Sequence, residues 1–429
     1  MAGSVHNGLR VDNQRIYFIN RHRLSFAWFL LVLMFLPISV TIGGQGISAN
    51  YLFVVLLLIG SVRNPDKWNA VVVLYILFCI VSYIIGVFLF SRFDADFLLR
   101  QSISFYIFIL PILLLFIRIP YSIDDICLAA FVVSCIYSAY TLSFVLIHGM
   151  LPISDTFGAR AYLMNHITEY PQRFIIIVLF SVFYGISRIK NNIWYIPAVL
   201  LLLFSVYISF TRAAWSGLGV GFLDYSTSVL LQMVRNSKVR LNFVHFLKWF
   251  GLIIISASIV TIILEVSPIM IEGITLHLNR LVDAFTGFIH DPQSFNPQGS
   301  EGIRMQIWHH VVNIVMSYNP VSGTGFAGIH QFLGADWGST HSQYMDIFLR
   351  TGFVGLGFYL FFWLKALRHY VAMPGVFAGL IALFAFGFSQ ETTKLSYGSL
   401  LFFLLLNKVY FDNKKNSDPM GLALLSISR

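Results

Sequence analysis

Apolar residues in this chain fall in long, nearly unbroken runs rather than in the alternating pattern of half-buried strands or the one-sided pattern of surface helices. A helix needs about 20 such residues to cross about 30 Å of hydrocarbon with its backbone hydrogen bonds closed internally. Twelve runs approach that length, over residues 24–42, 47–62, 68–90, 97–117, 124–148, 174–187, 193–210, 213–233, 247–267, 342–364, 371–388 and 395–411. The sixth is short and the second marginal, so tilt or continuation into the neighbouring loops supplies their missing length. The pattern predicts an all-α polytopic membrane protein of about twelve transmembrane helices.

The polar intervals divide the chain further. Residues 1–23 precede the first span, 24–267 carry spans one to nine, 268–341 form a large loop, 342–411 carry spans ten to twelve, and 412–429 form a tail. Long ordered loops carry function more often than short ones, and the two long connections are 149–173 and 268–341. In the larger, Ile271, Ile274, Leu278, Leu281 and Phe285 recur at helical spacing, which predicts an amphipathic helix lying on the membrane face. A second helix is expected from Ser300 to about Tyr318, stopped by Asn319-Pro320, with Ile303, Ile307, Val311 and Ile314 as its stripe and Arg304 and Trp308 on an adjoining face. Gly323-Thr324-Gly325-Phe326 then reads as a loop whose backbone N–H groups would approach a ligand closely.

Composition agrees with a lipid environment. With 57% hydrophobic and 11% charged residues, the chain lacks the polar surface to cover a soluble globule. The net charge of +9 needs no nucleic-acid partner, because the cations follow the positive-inside rule when both termini are cytoplasmic. Of the 28 Lys and Arg, all but Arg92, Arg100, Arg160, Arg173, Arg212, Arg280, Arg304, Arg350 and Lys394 fall in cytoplasmic segments. The first twenty-three residues lead into the first span without a small-residue cleavage site, as a retained anchor does. Cys79, Cys127 and Cys135 all lie within spans and read as small apolar packing residues.

The cations outside the cytoplasmic segments are the candidates for chemistry. An Arg at a helix end is commonly a snorkelling anchor, but Arg212 follows an apolar span on the side where such anchors are scarce. Arg280 and Arg304 are the only Lys or Arg in the loop 268–341. A guanidinium fork matches two phosphate oxygens, so such arginines suit a diphosphate. His341, at the mouth of the tenth span, carries the side chain best suited to take a proton from a hydroxyl near neutral pH. Arg350, deep in that span, needs a partner or a water-filled cavity. Arg160 and His166 in the shorter loop would form the opposite wall, and Glu391 stands one turn from Lys394 before the last span. His309-His310 has no further ligand at metal-binding spacing, so no metal or cofactor is expected.

Taken in order, Arg304-x-x-x-Trp308, Asn319-Pro320-x-x-Gly323-x-Gly325-Phe326, and His341-Ser342 followed by Gly352-x-x-Gly355 resemble the O-antigen ligase and polymerase superfamily. Thr211-Arg212-Ala213-Ala214-Trp215 resembles that family's other marker, an Arg opening a span. Ser342 departs from the more usual Asn. The resemblance implies a fold of the glycosyltransferase C type and an inverting, metal-independent transferase of the bacterial inner membrane, with its site facing the periplasm. It implies undecaprenyl-diphosphate-linked glycan as donor, a glycan or lipid A-core as acceptor, and a chain-length co-polymerase as partner. Carried over by position, Arg212 and Arg304 would hold the diphosphate and His341 would be the general base, with Arg160 and Arg280 joining less directly. Polymerase and ligase remain alternatives that differ in acceptor. Twelve spans would also suit a secondary transporter, but two similar halves and a long central link are expected there, and only Arg188 to Asn192 joins spans six and seven.

Overall fold

The computed structural model describes scattered residues between 31 and 58, then 69–90, 95–117, 119, 121–147, 171–208, 212–236, 300–333, 340–390 and 396–416. Its main helices are α1 (Ala70–Phe90), α2 (Ala95–Leu113, continued by a 3-10 turn to Phe116), α3 (Ile123–Ile147), α4 (Pro171–Ile189), α5 (Tyr195–Ile208) and α6 (Arg212–Asn236). After these come α7 (Ser300–Tyr318), the single turn α8 (His330–Leu333), α9 (Gln343–Tyr370), α10 (Pro374–Phe386) and α11 (Ser396–Asn416). Each of α1 to α6 and α9 to α11 falls on a predicted apolar run. The ninth run, the helix expected from 268 to 288 and the termini beyond 416 and before 31 lie outside the described residues.

Four described helices are long and apolar enough to cross a bilayer: Ala70–Phe90, Phe97–Phe116, Ile123–Ser143 and Gln343–Tyr370. Four shorter apolar helices, within α4, α5, α10 and α11, accompany them. The exception to helix is a hairpin of β1 (Ser39–Ile42) and β2 (Gln45–Ser48), antiparallel with Val40 opposite Ile47. It replaces the end of the first expected span and the start of the second. Val40, Thr41, Ile42 and Ile47 are β-branched, and Gly43-Gly44 between the strands would each weaken a helix by about 1 kcal/mol.

The core of the bundle is α4, buried on all sides from Phe174 to Tyr184 and packed against α3, α5 and α10. Glycines set the closest approaches. A Cβ on Gly217 of α6 would stand 2.9 Å from the Ala382 carbonyl of α10, and one on Gly379 would stand 2.6 Å from the Phe180 ring of α4. Helix α11 is fastened to the end of α2 by Asn407, which donates to the carbonyls of Leu114 and Ile117 at 2.7 Å each. At that end of the bundle Ser122 and Asp125 cap α3 reciprocally, and Arg188 of α4 pairs with Asp124. Burial and the neighbouring Asp125 carboxylate push the Tyr121 hydroxyl up to about 12. The opposite end carries His341.

Candidate active site

Helix α9 is broken, and the break organises the site. Gly352 adopts φ 63° and ψ −163° inside it, in the left-handed half of backbone space that glycine tolerates. A regular helix would bond the N–H groups of Phe353 and Val354 to the carbonyls of Leu349 and Arg350. Here Phe353 donates to the Pro320 carbonyl at 2.9 Å and Val354 to that of Val321 at 3.4 Å. The freed Leu349 carbonyl accepts from Thr324 N–H at 2.7 Å, and that of Arg350 accepts from Gly325 at 2.9 Å and Phe326 at 3.3 Å. The loop 319–326 has thus inserted itself into the open turn, and the N–H groups of Phe353 and Val354 and the carbonyls of Leu349 and Arg350 all find partners in it. Irregular backbone beside an apolar helix requires such a partner.

This arrangement corrects two expectations. The tenth span is not continuous helix through Gly352. The N–H groups of the Gly323-Thr324-Gly325-Phe326 loop are not presented to a ligand either, because Gly323 donates to the Asn319 carbonyl and the other three to α9. The two glycines serve backbone contact instead. Gly323 and Gly325 hold φ of 66° and 62°, and a Cβ on Gly323 would lie 2.5 Å from the Leu349 carbonyl. One on Gly86 of α1 would lie 2.5 Å from the Thr324 carbonyl and 2.6 Å from Gly325 Cα. Phe326 takes φ 73° and is fully buried, meeting Phe105 and Phe108 of α2 edge-on at 5.1 and 5.3 Å.

The loop also fixes how α7 lies. Asn319 closes that helix with its side-chain oxygen, which accepts from Val321 and Ser322 N–H at 3.1 Å. Ile307, Val311 and Val315 pack on Ile329, Phe348 and Leu349 in a small separate core. Near the other end of the contact, Trp308 donates its indole N–H to the Thr340 carbonyl at 2.9 Å. Helix α7 therefore runs alongside the first turns of α9 in the same direction, covering about 15 Å from Trp308 to its end at Tyr318. Arg304, half-buried and one turn before Trp308, stands about 6 Å beyond that level along the helix axis.

His341 follows Thr340 directly and is half-buried. It adopts φ 52°, a left-handed conformation that costs of order 1 kcal/mol for a residue with a side chain and recurs at functional sites. Ser342 begins α9 as its N-cap, the hydroxyl accepting from Met345 N–H and the carbonyl from Asp346 N–H at 2.9 Å. Ser342 thus serves the helix start, which accounts for a short hydroxyl residue after the histidine. Thr340 Oγ1 donates to the Ser342 carbonyl at 2.9 Å and holds the intervening His341 in its bend.

Arg212 reaches the same end by a different route. It is the first residue of α6, whose Gly217 faces Ala382 and Phe386 near the end of α10. Just beyond, the Gly387 carbonyl accepts from Gln343 N–H at 2.8 Å, and that of Gln390 accepts from the same N–H at 3.1 Å. The starts of α6 and α9 therefore meet the end of one helix, so the backbones of Arg212, Arg304 and His341 stand at one end of the bundle. The Arg212 side chain lies outside the described residues, as do Arg160, His166, Arg280 and Glu391.

Arg350 lies two turns into α9, 5% exposed, and its Nε donates to Asp346 Oδ2 at 2.7 Å. That carboxylate is the partner the sequence demanded, and the i, i+4 spacing of Asp346 and Arg350 was the signal for it. Gln101 of α2, also missed by sequence reasoning, is buried and donates its side-chain amide to the Gly325 carbonyl. Nothing in the local sequence marks it. On the outer part of α7, Asn313 and His309 are bonded to each other at 2.9 Å. Among the described residues no three His, Cys, Asp or Glu side chains are grouped to share a metal ion.

Residues 197–360 match the family described as O-Antigen ligase. The match opens in α5 and closes in α9, so it takes in Arg212, Arg304, the inserted loop and His341. No curated protein and no solved structure matches the chain.

Proposed function

We propose that this chain, which matches the O-antigen ligase family over residues 197–360, is an inverting glycosyltransferase acting on lipid-diphosphate-linked glycan at the periplasmic face of the bacterial inner membrane. The observation that carries the reading is the Trp308 bond to Thr340, which sets the helix of Arg304 against the mouth where His341 bends out of α9. A cation-bearing helix and an imidazole then share one end of a bundle of apolar helices, where a lipid-borne anion and an aqueous hydroxyl would meet.

In this reading Arg212 and Arg304 bind the two phosphates of an undecaprenyl-diphosphate glycan, and their guanidinium groups match the oxygens in pairs. Neutral His341 takes the proton of the acceptor hydroxyl. The resulting oxygen attacks the anomeric carbon from the face opposite the diphosphate, the carbon–oxygen bond to the diphosphate breaks, and undecaprenyl diphosphate leaves with the electron pair. Configuration inverts. The diphosphate is already an activated leaving group, so the protein supplies alignment, charge neutralisation and a base, with no metal ion required. Arg160, His166, Arg280 and Glu391 complete the walls, and Arg350 with Asp346 supports the floor beneath the mouth.

The acceptor we assign is a second lipid-linked glycan, which makes the protein an O-antigen or related surface-polysaccharide polymerase working with a chain-length co-polymerase. Transfer to lipid A-core, the ligase reaction, is the second reading, and the description of the matching family favours it. Complementation separates them. A strain lacking its polymerase regains a ladder of long lipopolysaccharide on a gel under the first reading, and a strain lacking its ligase regains core-attached glycan under the second. Rescue of neither defeats the proposal.

A further inference from the structure

We propose that Gln101 is a positioning residue for the transfer reaction, holding the inserted loop and through it the spacing between Arg304 and His341. The proposal rests on the glycosyltransferase reading above. Gln101 is 1% exposed in α2, and its side-chain amide donates to the Gly325 carbonyl. Gly325 is the residue whose N–H bonds the Arg350 carbonyl in the opened turn of α9, so one residue is tied through its N–H and its carbonyl to two helices.

Three observations make this contact more than packing. Gly325 has no side chain of its own, and a Cβ there would overlap Gly86 of α1, so this residue is located by its backbone bonds. Its first residue, Asn319, ends α7, and its last, Phe326, is seated between Phe105 and Phe108, one and two turns along α2 from Gln101. The helix it ends carries Arg304 and Trp308, and Trp308 holds Thr340 next to His341. Motion of Gly325 is thus passed along α7 to both ends of the proposed site. Gln101 touches neither substrate nor reacting atoms; it fixes the distance over which they are presented. Misplacement by about 1 Å costs as much as a hundredfold in rate when geometry governs the reaction.

Two variants and two measurements test it. Gln101→Met keeps length and removes the donor. Gln101→Glu keeps shape and can donate only while its carboxyl is protonated. With purified protein, undecaprenyl-diphosphate glycan and acceptor, Gln101→Met should lose about tenfold or more in kcat with little change in KM for the donor. Gln101→Glu should lose activity progressively between about pH 6 and about pH 9, an ionisation absent from the wild-type and Gln101→Met profiles. Spin labels on Met316→Cys and Leu360→Cys, both exposed sites on α7 and α9, report the helix spacing in a background with the three native cysteines replaced by alanine. That distance should shift or broaden in Gln101→Met. Wild-type kcat together with a wild-type distance in Gln101→Met overturns the proposal, as does a Gln101→Glu profile that follows wild type if Gln101→Met does not fold. Absence of transfer by the wild-type protein would instead defeat the functional reading, and the spin-label distance alone would then decide the role of Gln101.

Discussion

Trp308 donates its indole N–H to the carbonyl of Thr340 at 2.9 Å, joining two helices at the residue before His341. Trp308→Phe keeps the ring contact and deletes the donor, leaving a buried carbonyl with one partner fewer. We expect a loss of about 1–3 kcal/mol in stability and a fall in transfer rate larger than the stability change explains. Thermal unfolding in detergent, set beside initial rates well below the melting range, separates the two effects. A rate equal to wild type would show that the bond holds the helices without setting the site.

The inserted loop makes its glycines unequal to others in the chain. Gly323→Ala forces a side chain into φ 66° and within 2.5 Å of the Leu349 carbonyl, and should cost at least about 1–3 kcal/mol and most of the folded yield. Gly219→Ala in α6 meets nothing within 4 Å and should be neutral or stabilising by up to about 1 kcal/mol. Expression and melting temperature of the pair check this, and equal behaviour would contradict the loop geometry.

Asp346 and Arg350 are both 5% exposed and bonded at 2.7 Å, so neither charge survives well alone. Replacing one partner, as in Asp346→Leu or Arg350→Leu, should destabilise by about 3–5 kcal/mol, whereas the double substitution should recover much of that loss. A double-mutant cycle on thermal stability gives the coupling directly. Additive losses would mean that the pair does not act as a unit.

The placement of the site on the outer side of the membrane is tested by fusion. A reporter active only in the periplasm should be active after Ser294 and silent after Asn191. The reverse pattern would put the arginines and His341 on the wrong side for a lipid-linked glycan.

Much of this fold was legible because apolar run length speaks for itself. Helices α1, α2, α3 and α9 lie where runs of about 20 residues predict them. Helix α7 was readable from its stripe and from Asn319-Pro320, which ends it. What escaped is what depends on tertiary pairing. The kink at Gly352 is invisible in a run that stays apolar on both sides of it, and the loop that fills it looked free to bind a ligand because nothing in its sequence says that Leu349 and Arg350 accept its N–H groups. The hairpin at Ser39–Ser48 was hidden because its two strands sit at the ends of longer apolar runs that read as spans. Gln101 was unreadable for a related reason: its partner lies 224 residues away in the sequence. Asp346, by contrast, stood in plain view at helical spacing from an arginine that needed it.

The central claim is that His341 is the general base and that the arginines hold the donor without it. The direct measurement is transfer and donor binding by purified His341→Ala, with Arg304→Lys beside it, in nanodiscs with undecaprenyl-diphosphate glycan, acceptor and chelator present throughout. His341→Ala should fold, bind donor with near wild-type affinity and lose about 10²–10⁴-fold in transfer. Arg304→Lys keeps its charge but loses the guanidinium fork, and should weaken donor binding and activity together. Transfer by His341→Ala within about tenfold of wild type would contradict the account, because a general base contributes more than that.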